Sequence, residues 1–217
     1  MLKDNLEKRI KKSKLVAVLR YESPEPLTEV IRATVAGGIN VIEVTMTVPN
    51  AADLIRQTAD EFSDDKVLLG AGTVMSPEVA KAAVDAGAKF CVAPHFDQAT
   101  VTYCNEQNIF VCPGAFTATE AQHAASSGAD AIKIFPANIG GPQYIKDLLG
   151  PLPDLKIMVT GGVDLVTAPQ FLKSGAIAVG VGGALFNRKM IENKDWAGIT
   201  DNARSLVACV ADCEGRG

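Results

Sequence analysis

Short apolar runs alternate with amphipathic segments along the chain. Each run is typical of a buried parallel strand, and each is followed by apolar positions three or four residues apart, which indicates a helix. The predicted strands lie at residues 15–19, 40–45, 67–70, 89–93, 109–112, 130–134, 156–159 and 177–181. A further helix is predicted at residues 3–12, before the first strand. This alternation predicts an α/β fold with eight strand–helix units, the count of a (β/α)8 TIM barrel.

The predicted barrel occupies the whole chain. The sequence has 217 residues, a length that suits one large α/β domain. No low-complexity segment and no linker rich in Pro, Gly or Ser separates the predicted elements. We therefore expect a single (β/α)8 barrel domain over residues 1–217, with an extra N-terminal helix.

A faint repeat indicates which side chains face the interior of the barrel. Four helix ends run into predicted strands 2, 4, 6 and 8 in the same way, as AGGINVIEV, DAGAKFCVA, SSGADAIKI and KSGAIAVGV. Alternate strands of such a barrel supply the four side chains of one interior layer. Counting five residues from the glycine of each repeat gives the layer Glu43, Val92, Lys133 and Gly180. Because strands 2 and 6 are opposite, we expect Glu43 and Lys133 to face each other.

Composition limits the possible partners. Hydrophobic residues make up 47% and charged residues 21% of the chain, the balance of an ordinary globular protein. The formal net charge of −4 argues against nucleic acid and against an anionic membrane as partners, but it allows a small anionic ligand. The N-terminal residues lack the apolar core of a signal peptide, so we expect a cytoplasmic protein. The five cysteines form no CxxC pair and the two histidines are far apart, so neither a metal nor a cofactor is expected.

Lys133 stands in the middle of an apolar strand, where an ammonium group is costly to bury. One interpretation is a structural ion pair with Glu43. The other is a catalytic amine, because burial disfavours the charged form and the neutral amine can form a Schiff base with a carbonyl. Glu43 would then be the general acid and base of that reaction. Buried ion pairs contribute little to stability, which favours the catalytic interpretation for both residues.

Several residues at the carboxyl ends of predicted strands are candidates for substrate binding, because this end of a barrel carries the active site. Arg20 ends the first strand and could bind a carboxylate, although solvated arginines are common at strand ends. Gly72 and Thr73 in the loop GAGTVMSPE either offer amides and a hydroxyl to the same carboxylate or form only a tight turn. Pro94 and Phe135 are either apolar walls of the site or packing at its rim.

Two glycine pairs follow predicted strands 7 and 8. They are Gly161 and Gly162 in VTGGV, and Gly182 and Gly183 in GVGGALF. Such glycines can simply form tight turns, but the loops after strands 7 and 8 of this fold often bind phosphate through backbone amides. Neither loop matches a Walker sequence or GxGxxG, so a phosphate ligand other than a nucleotide is indicated.

Taken together, the stretches IEVTMT, GAGTV, VAPH, IKIFPA, GPQYIKDLLGPLP, VTGGV and VGVGGALF resemble the 2-keto-3-deoxy-6-phosphogluconate (KDPG) and 4-hydroxy-2-oxoglutarate (KHG) aldolase family. The resemblance runs from about residue 14 to residue 210. It implies a metal-free class I aldolase, a homotrimer, that cleaves the phosphorylated 2-keto acid KDPG to pyruvate and glyceraldehyde 3-phosphate in the Entner–Doudoroff pathway. It also implies a Schiff base on Lys133, acid–base catalysis by Glu43, a carboxylate held by Arg20 and Thr73, and a phosphate held by the two glycine pairs.

Two positions depart from the family pattern. Some members carry an arginine at the position of Thr47, where it holds the carboxylate, and Arg20 is the natural substitute here. Some members carry a serine at the position of Ala184, so the phosphate site of this chain rests more heavily on backbone amides.

Three alternatives remain open from the sequence. A sister aldolase would act on the galactonate epimer of KDPG or on 4-hydroxy-2-oxoglutarate. Thr160 favours the gluconate type, because the galactonate branch is expected to carry a valine at this position. A phosphosugar isomerase or synthase barrel would keep the glycine loops but has no need of a lysine–glutamate pair. An inactive trimeric scaffold would need neither Lys133 nor Glu43.

Overall fold

The computed structural model describes residues 3–213, within which nine strands and ten helices alternate along most of the chain. The strands are β1 (Leu15–Leu19), β2 (Val41–Thr45), β3 (Leu68–Gly72), β4 (Phe90–Val92), β5 (Phe110–Cys112), β6 (Gly114–Ala115), β7 (Ile132–Ile134), β8 (Ile157–Thr160) and β9 (Ala178–Val181). The helices are α1 (Lys3–Ser13), α2 (Leu27–Ala36), α3 (Ala51–Glu61), α4 (Pro77–Asp85), α5 (Gln98–Glu106), α6 (Ala118–Ser126), α7 (Gly141–Leu149), α8 (Thr167–Lys173), α9 (Arg188–Glu192) and α10 (Trp196–Val210). None of these ten helices in the described range is long and apolar enough to cross a membrane.

The strands form a parallel barrel. Their order is β5-β4-β3-β2-β1-β9-β8-β7-β6, so the first and last strands of the chain are neighbours and pair from Leu15 with Val179 to Ala17 with Val181. The eight predicted strands and the N-terminal helix are all present, with bounds within two residues of the prediction. The predicted TIM-barrel fold is confirmed.

The ninth strand, β6, was not predicted, and it marks a seam in the barrel wall. Pro113 separates β5 from β6; β5 pairs only with β4, and β6 pairs only with β7, among the strands of residues 3–213. At the seam, a side chain also bonds to the strand backbone: the Val111 amide donates to Asp130 Oδ2 at 2.8 Å. The Lys133 amide donates to the Pro113 carbonyl at 2.8 Å, which joins β7 to the seam.

Apolar side chains pack on both sides of the barrel wall. Outward-facing residues such as Ile42 and Ile132 join the core between strands and helices. Inward-facing residues such as Val16 and Phe90 form a second cluster, which Leu6 and Ile10 of α1 join. Since Leu6 and Ile10 are almost fully buried there, α1 closes the N-terminal end of the barrel.

The register of the strands brings Glu43 and Lys133 to the interior. Glu43 pairs with Val18 of β1 and Gly70 of β3, and it is completely buried. Lys133 pairs with Gly114 and Met158, and it is also buried. The prediction that the two residues face each other across the barrel is confirmed by the contact between their side chains.

Candidate active site

A cavity of about 710 Å³ opens at the carboxyl ends of the barrel strands. Its walls come from residues that end or follow β1, β3, β4, β7, β8 and β9. Most of the predicted site residues line it, namely Arg20, Thr73, Pro94, Lys133, Phe135, Thr160, Gly161, Gly162, Gly182 and Gly183. The structure therefore brings together in one cavity residues from six separate segments of the sequence.

Lys133 and Glu43 form the buried ion pair of the cavity floor. The distance from Lys133 Nζ to Glu43 Oε1 is 3.9 Å, which is an ion-pair contact but longer than a hydrogen bond. Lys133 Nζ also lies 5.4 Å from the centre of the Phe135 ring. Because Lys133 lines the cavity and Glu43 is fully enclosed, a ligand carbonyl can reach the amine while the carboxylate supports it from behind.

Glu43 is held in surroundings that suit a proton-transfer group. Neither of its carboxylate oxygens has a hydrogen-bond partner among the described residues. Burial raises the pKa of Glu43 above the usual range of a glutamate, and the positive charges of Lys133 and Arg20 oppose this rise only in part. A raised pKa makes a carboxyl group better suited than an ordinary glutamate to donate a proton as well as accept one.

Gly72 lies beside Glu43 and is not among the described residues that line the cavity. A Cβ atom at position 72 would lie 2.0 Å from Glu43 Oε1, so only glycine leaves space for the carboxylate. We predicted Gly72 as part of the substrate-binding loop. That assignment stays a prediction, and the geometry adds a second task, which is to accommodate the Glu43 side chain.

Arg20 and Thr73 stand together at the end of the cavity near β1 and β3. Arg20 Nη2 donates a hydrogen bond to Thr73 Oγ1 at 3.3 Å. Thr73 has a φ of +56°, a left-handed conformation that is uncommon for a residue with a branched side chain. Thr47 lies close by in sequence but bonds within its own segment, because its hydroxyl is 2.9 Å from Thr45 Oγ1. Arg20 is thus the guanidinium available for a carboxylate at this end.

The glycine pairs follow β8 and β9 and also line the cavity. Gly161 and Gly162 have φ values of +105° and +68°, which favour glycine, and a Cβ at Gly162 would lie 2.6 Å from Asn138 Cβ. At Gly183 a Cβ would meet nothing within 4 Å, so its backbone faces open space. Backbone that a ligand can approach closely suits a group that binds through amide N–H donors, such as phosphate.

Thr160, the last residue of β8, also lines the cavity. Its hydroxyl oxygen is buried and has no hydrogen-bond partner among the described residues. A Cβ at Gly180 would lie 2.5 Å from this oxygen, so the glycine of β9 gives the hydroxyl its room. Thr160 can therefore bond to a ligand hydroxyl or carbonyl.

Among the lining residues that the sequence analysis did not identify, four have polar or charged side chains: Tyr21, Asp164, Asn187 and Arg188. Each of the four follows the end of a strand by a few residues, and this position was the only feature of the sequence that could have indicated a place in the site. The Asp164 carboxylate accepts from the amides of Val166 and Thr167, and these bonds lower its pKa. Between Lys3 and Cys213, no group of three or more His, Cys, Asp or Glu side chains is arranged to hold a metal ion.

The chain is similar in sequence to known aldolases. The family model described as KDPG and KHG aldolase matches residues 6–202. The chain is 35% identical, over 79% of its length and 84% of the relative, to 2-dehydro-3-deoxy-6-phosphogalactonate aldolase from Escherichia coli strain K12. It is 31% identical, over 93% of its length and 95% of the relative, to 2-dehydro-3-deoxy-phosphogluconate aldolase from Treponema pallidum strain Nichols.

A solved structure shares the architecture. It is KDPG aldolase from Legionella pneumophila, with pyruvate captured at low pH as a covalent carbinolamine intermediate. The TM-score is 0.82 at 28% identity, and the alignment covers 88% of this chain and 93% of the other.

Proposed function

The chain belongs to the KDPG and KHG aldolase family, and from this premise we propose that it cleaves KDPG to pyruvate and glyceraldehyde 3-phosphate through a Schiff base on Lys133. The family makes it an aldolase, a carbon–carbon lyase. The observation that carries the mechanism is the buried Lys133–Glu43 pair, 3.9 Å apart, on the floor of the cavity. From the same premise we propose that residues 1–217 form one barrel domain and that the protein assembles as a homotrimer.

The reaction begins at Lys133. Its neutral amine attacks the C2 carbonyl of the substrate, and loss of water leaves an iminium ion. Glu43 takes the proton of the C4 hydroxyl through a bridging water, and the C3–C4 bond breaks as its electrons move into the iminium. Glyceraldehyde 3-phosphate leaves. The remaining enamine is protonated at C3 and hydrolysed, which releases pyruvate and restores the lysine.

Two groups of cavity residues suit the two anionic groups of the substrate, its carboxylate and its phosphate. Arg20 and Thr73 hold the C1 carboxylate, and the amides near Gly161, Gly162, Gly182 and Gly183 hold the phosphate. Thr160 offers its unpaired hydroxyl to the C4 region, while Pro94 and Phe135 form apolar walls near the carbonyl. Fixing both anionic ends keeps C2 within reach of Lys133.

The galactonate epimer of KDPG is a second candidate substrate. The relative of highest identity above is named for the galactonate epimer, which differs from KDPG in configuration at C4. Thr160 supports the gluconate epimer, because we expect a valine there in the galactonate branch.

The experiment is a coupled assay of pyruvate release from the two epimers and from 4-hydroxy-2-oxoglutarate, side by side. Preference for KDPG supports the proposal. Preference for the galactonate epimer or for 4-hydroxy-2-oxoglutarate would replace the substrate and leave the mechanism in place. No pyruvate from any of the three would contradict both.

Gly72→Ala tests the positioning of Glu43. The new methyl group would overlap Glu43 Oε1, so the carboxylate must rotate away from its place beside Lys133. We expect kcat for pyruvate release to fall by about 10- to 100-fold, as small misplacements of reacting groups do. The matched control is Gly150→Ala on the protein surface, where the nearest atom to a Cβ is the Asp147 carbonyl oxygen at 3.3 Å. Equal kcat values for the two variants would refute this role of Gly72.

A further inference from the structure

Arg188 is a cation on the cavity wall with no role in the mechanism above. It is the first residue of α9, shortly after the Gly182–Gly183 pair, and its side chain lines the cavity together with those glycines. It therefore stands next to the wall that we assign to phosphate, near the loop that follows β1, where Glu22 contacts it.

Of the cations that line the cavity, Arg188 is the one that we assign to the phosphate. The cationic lining residues in the described range are Arg20, Lys133 and Arg188. Arg20 is bonded to Thr73, and Lys133 is paired with Glu43. Asp164 brings a negative charge to the same wall, but its carboxylate is engaged by backbone amides. A dianionic phosphate beside Asp164 therefore gains from a nearby positive charge.

Two other side chains close to the glycines in sequence are poor phosphate ligands. Ala184 has no hydroxyl group. The Asn187 side chain accepts a hydrogen bond from the Met190 amide at 3.1 Å, as the cap of α9. Arg188 is different, because its guanidinium has five N–H donors in a planar fork that matches phosphate oxygens.

The present partners of Arg188 are exposed carboxylates that a phosphate can replace. Arg188 Nη2 lies 3.0 Å from Glu22 Oε1, and Arg188 Nε donates to Glu192 Oε1 at 2.8 Å. The Arg188 side chain is 66% exposed and that of Glu22 is 63% exposed. Ion pairs with this exposure are weak, whereas a guanidinium–phosphate contact is a strong charge-assisted interaction.

We propose that Arg188 binds the distal phosphate of the substrate, and that Glu22 competes for Arg188 when the site is free. The proposal rests on the proposed function and deepens it, because it makes the charge at the far end of the substrate a determinant of affinity. Glu22 acts only through Arg188 and is a positioning residue.

The test uses KDPG and its counterpart without the phosphate, 2-keto-3-deoxygluconate, with the parent protein and Arg188→Ala. We expect the KM for KDPG to rise about tenfold, with kcat within about twofold, because the contact is made equally in the ground state and the transition state. The kcat/KM for the unphosphorylated compound should stay within about twofold. A KM for KDPG that does not change, or an equal loss with both compounds, would overturn the proposal.

Two further variants sharpen the result. Arg188→Lys should recover part of the lost affinity, since it keeps the charge and loses the fork. The matched control is Arg204→Ala on α10, which removes an arginine of similar exposure that pairs with Asp201. Arg204→Ala should leave both compounds unaffected, and a KM change equal to that of Arg188→Ala would mean that the effect is one of net charge alone.

Glu22→Gln tests the competition. It should lower the KM for KDPG about two- to threefold in the parent, and change nothing when Arg188 is already alanine. An equal effect in both backgrounds would show that Glu22 acts on the substrate directly.

Failure of this proposal can be told apart from failure of the proposed function. If the parent releases no pyruvate, the function is wrong, and binding of inorganic phosphate measured by calorimetry still tests Arg188. Weaker binding in Arg188→Ala than in the parent then supports the phosphate site, and equal binding overturns it.

Discussion

Lys133→Arg should abolish pyruvate release, with a loss of at least about a thousandfold in kcat. Arginine keeps a positive charge beside Glu43, so the buried ion pair and its contribution to the fold are preserved as far as any substitution allows. A guanidinium, however, stays protonated and cannot attack a carbonyl to form an iminium ion. The variant therefore separates the catalytic interpretation of Lys133 from the structural one.

Two measurements check this prediction. The first is kcat in the coupled pyruvate assay, with Lys156→Arg as the matched control, because Lys156 is an exposed lysine that also pairs with a glutamate, Glu7. The second is reduction with borohydride in the presence of pyruvate, followed by mass spectrometry. The parent and the control should gain a stable adduct on Lys133, and Lys133→Arg should gain none. Substantial turnover, or an adduct on another lysine, would place the Schiff base elsewhere.

Glu43→Gln should lower kcat by about 10²- to 10⁴-fold while the amine still traps pyruvate. The amide has nearly the shape of the carboxylate but cannot take the C4 hydroxyl proton. Trapping should survive because Lys133 remains in place, although proton transfers during adduct formation will be slower. Loss of turnover with retained adduct distinguishes a proton-transfer group from a residue that merely holds the lysine.

The pH profile gives an independent check on Glu43. The base form is the carboxylate, so kcat/KM of the parent should fall as the pH decreases through the pKa of Glu43. Since burial raises that pKa, the acidic limb should lie above the range of an ordinary glutamate. In Glu43→Gln this limb should disappear. The matched control Glu61→Gln, which removes an exposed carboxylate paired with Arg32, should keep the parental profile. An unchanged acidic limb in Glu43→Gln would assign it to another group.

Much of the fold could be predicted from apolar runs alone. A buried parallel strand needs apolar side chains on both faces, and this makes each of the eight runs conspicuous. The opposition of Glu43 and Lys133 could be predicted too, because repeated helix ends preserve the register from one strand to the next. Charged residues inside such runs stand out for the same reason.

The remainder depended on contacts between segments far apart in sequence. The strand β6 was missed because Pro113 and Gly114 are ordinary turn residues, and only pairing with β7 makes Gly114 part of a strand. The steric task of Gly72 depends on Glu43 in the neighbouring strand. Arg188 was missed because it begins a helix of only five residues, which is too short to show periodicity, and only the tertiary structure shows that it lines the cavity.

The seam at Pro113 makes the strand pairing around Lys133 different from that around Glu43. The strand that carries Glu43 has a continuous ladder to a neighbour on each side, from β1 to β3. The strand that carries Lys133 borders the seam, where β5 and β6 do not pair. There the Val111 carbonyl accepts from the amides of Asp130 and Ala131, and the Val111 amide donates to the Asp130 side chain. Brief local opening of the wall should therefore begin beside the lysine rather than beside the glutamate. We therefore expect Lys133 to be the more mobile and Glu43 the more fixed of the two residues that we assign to catalysis.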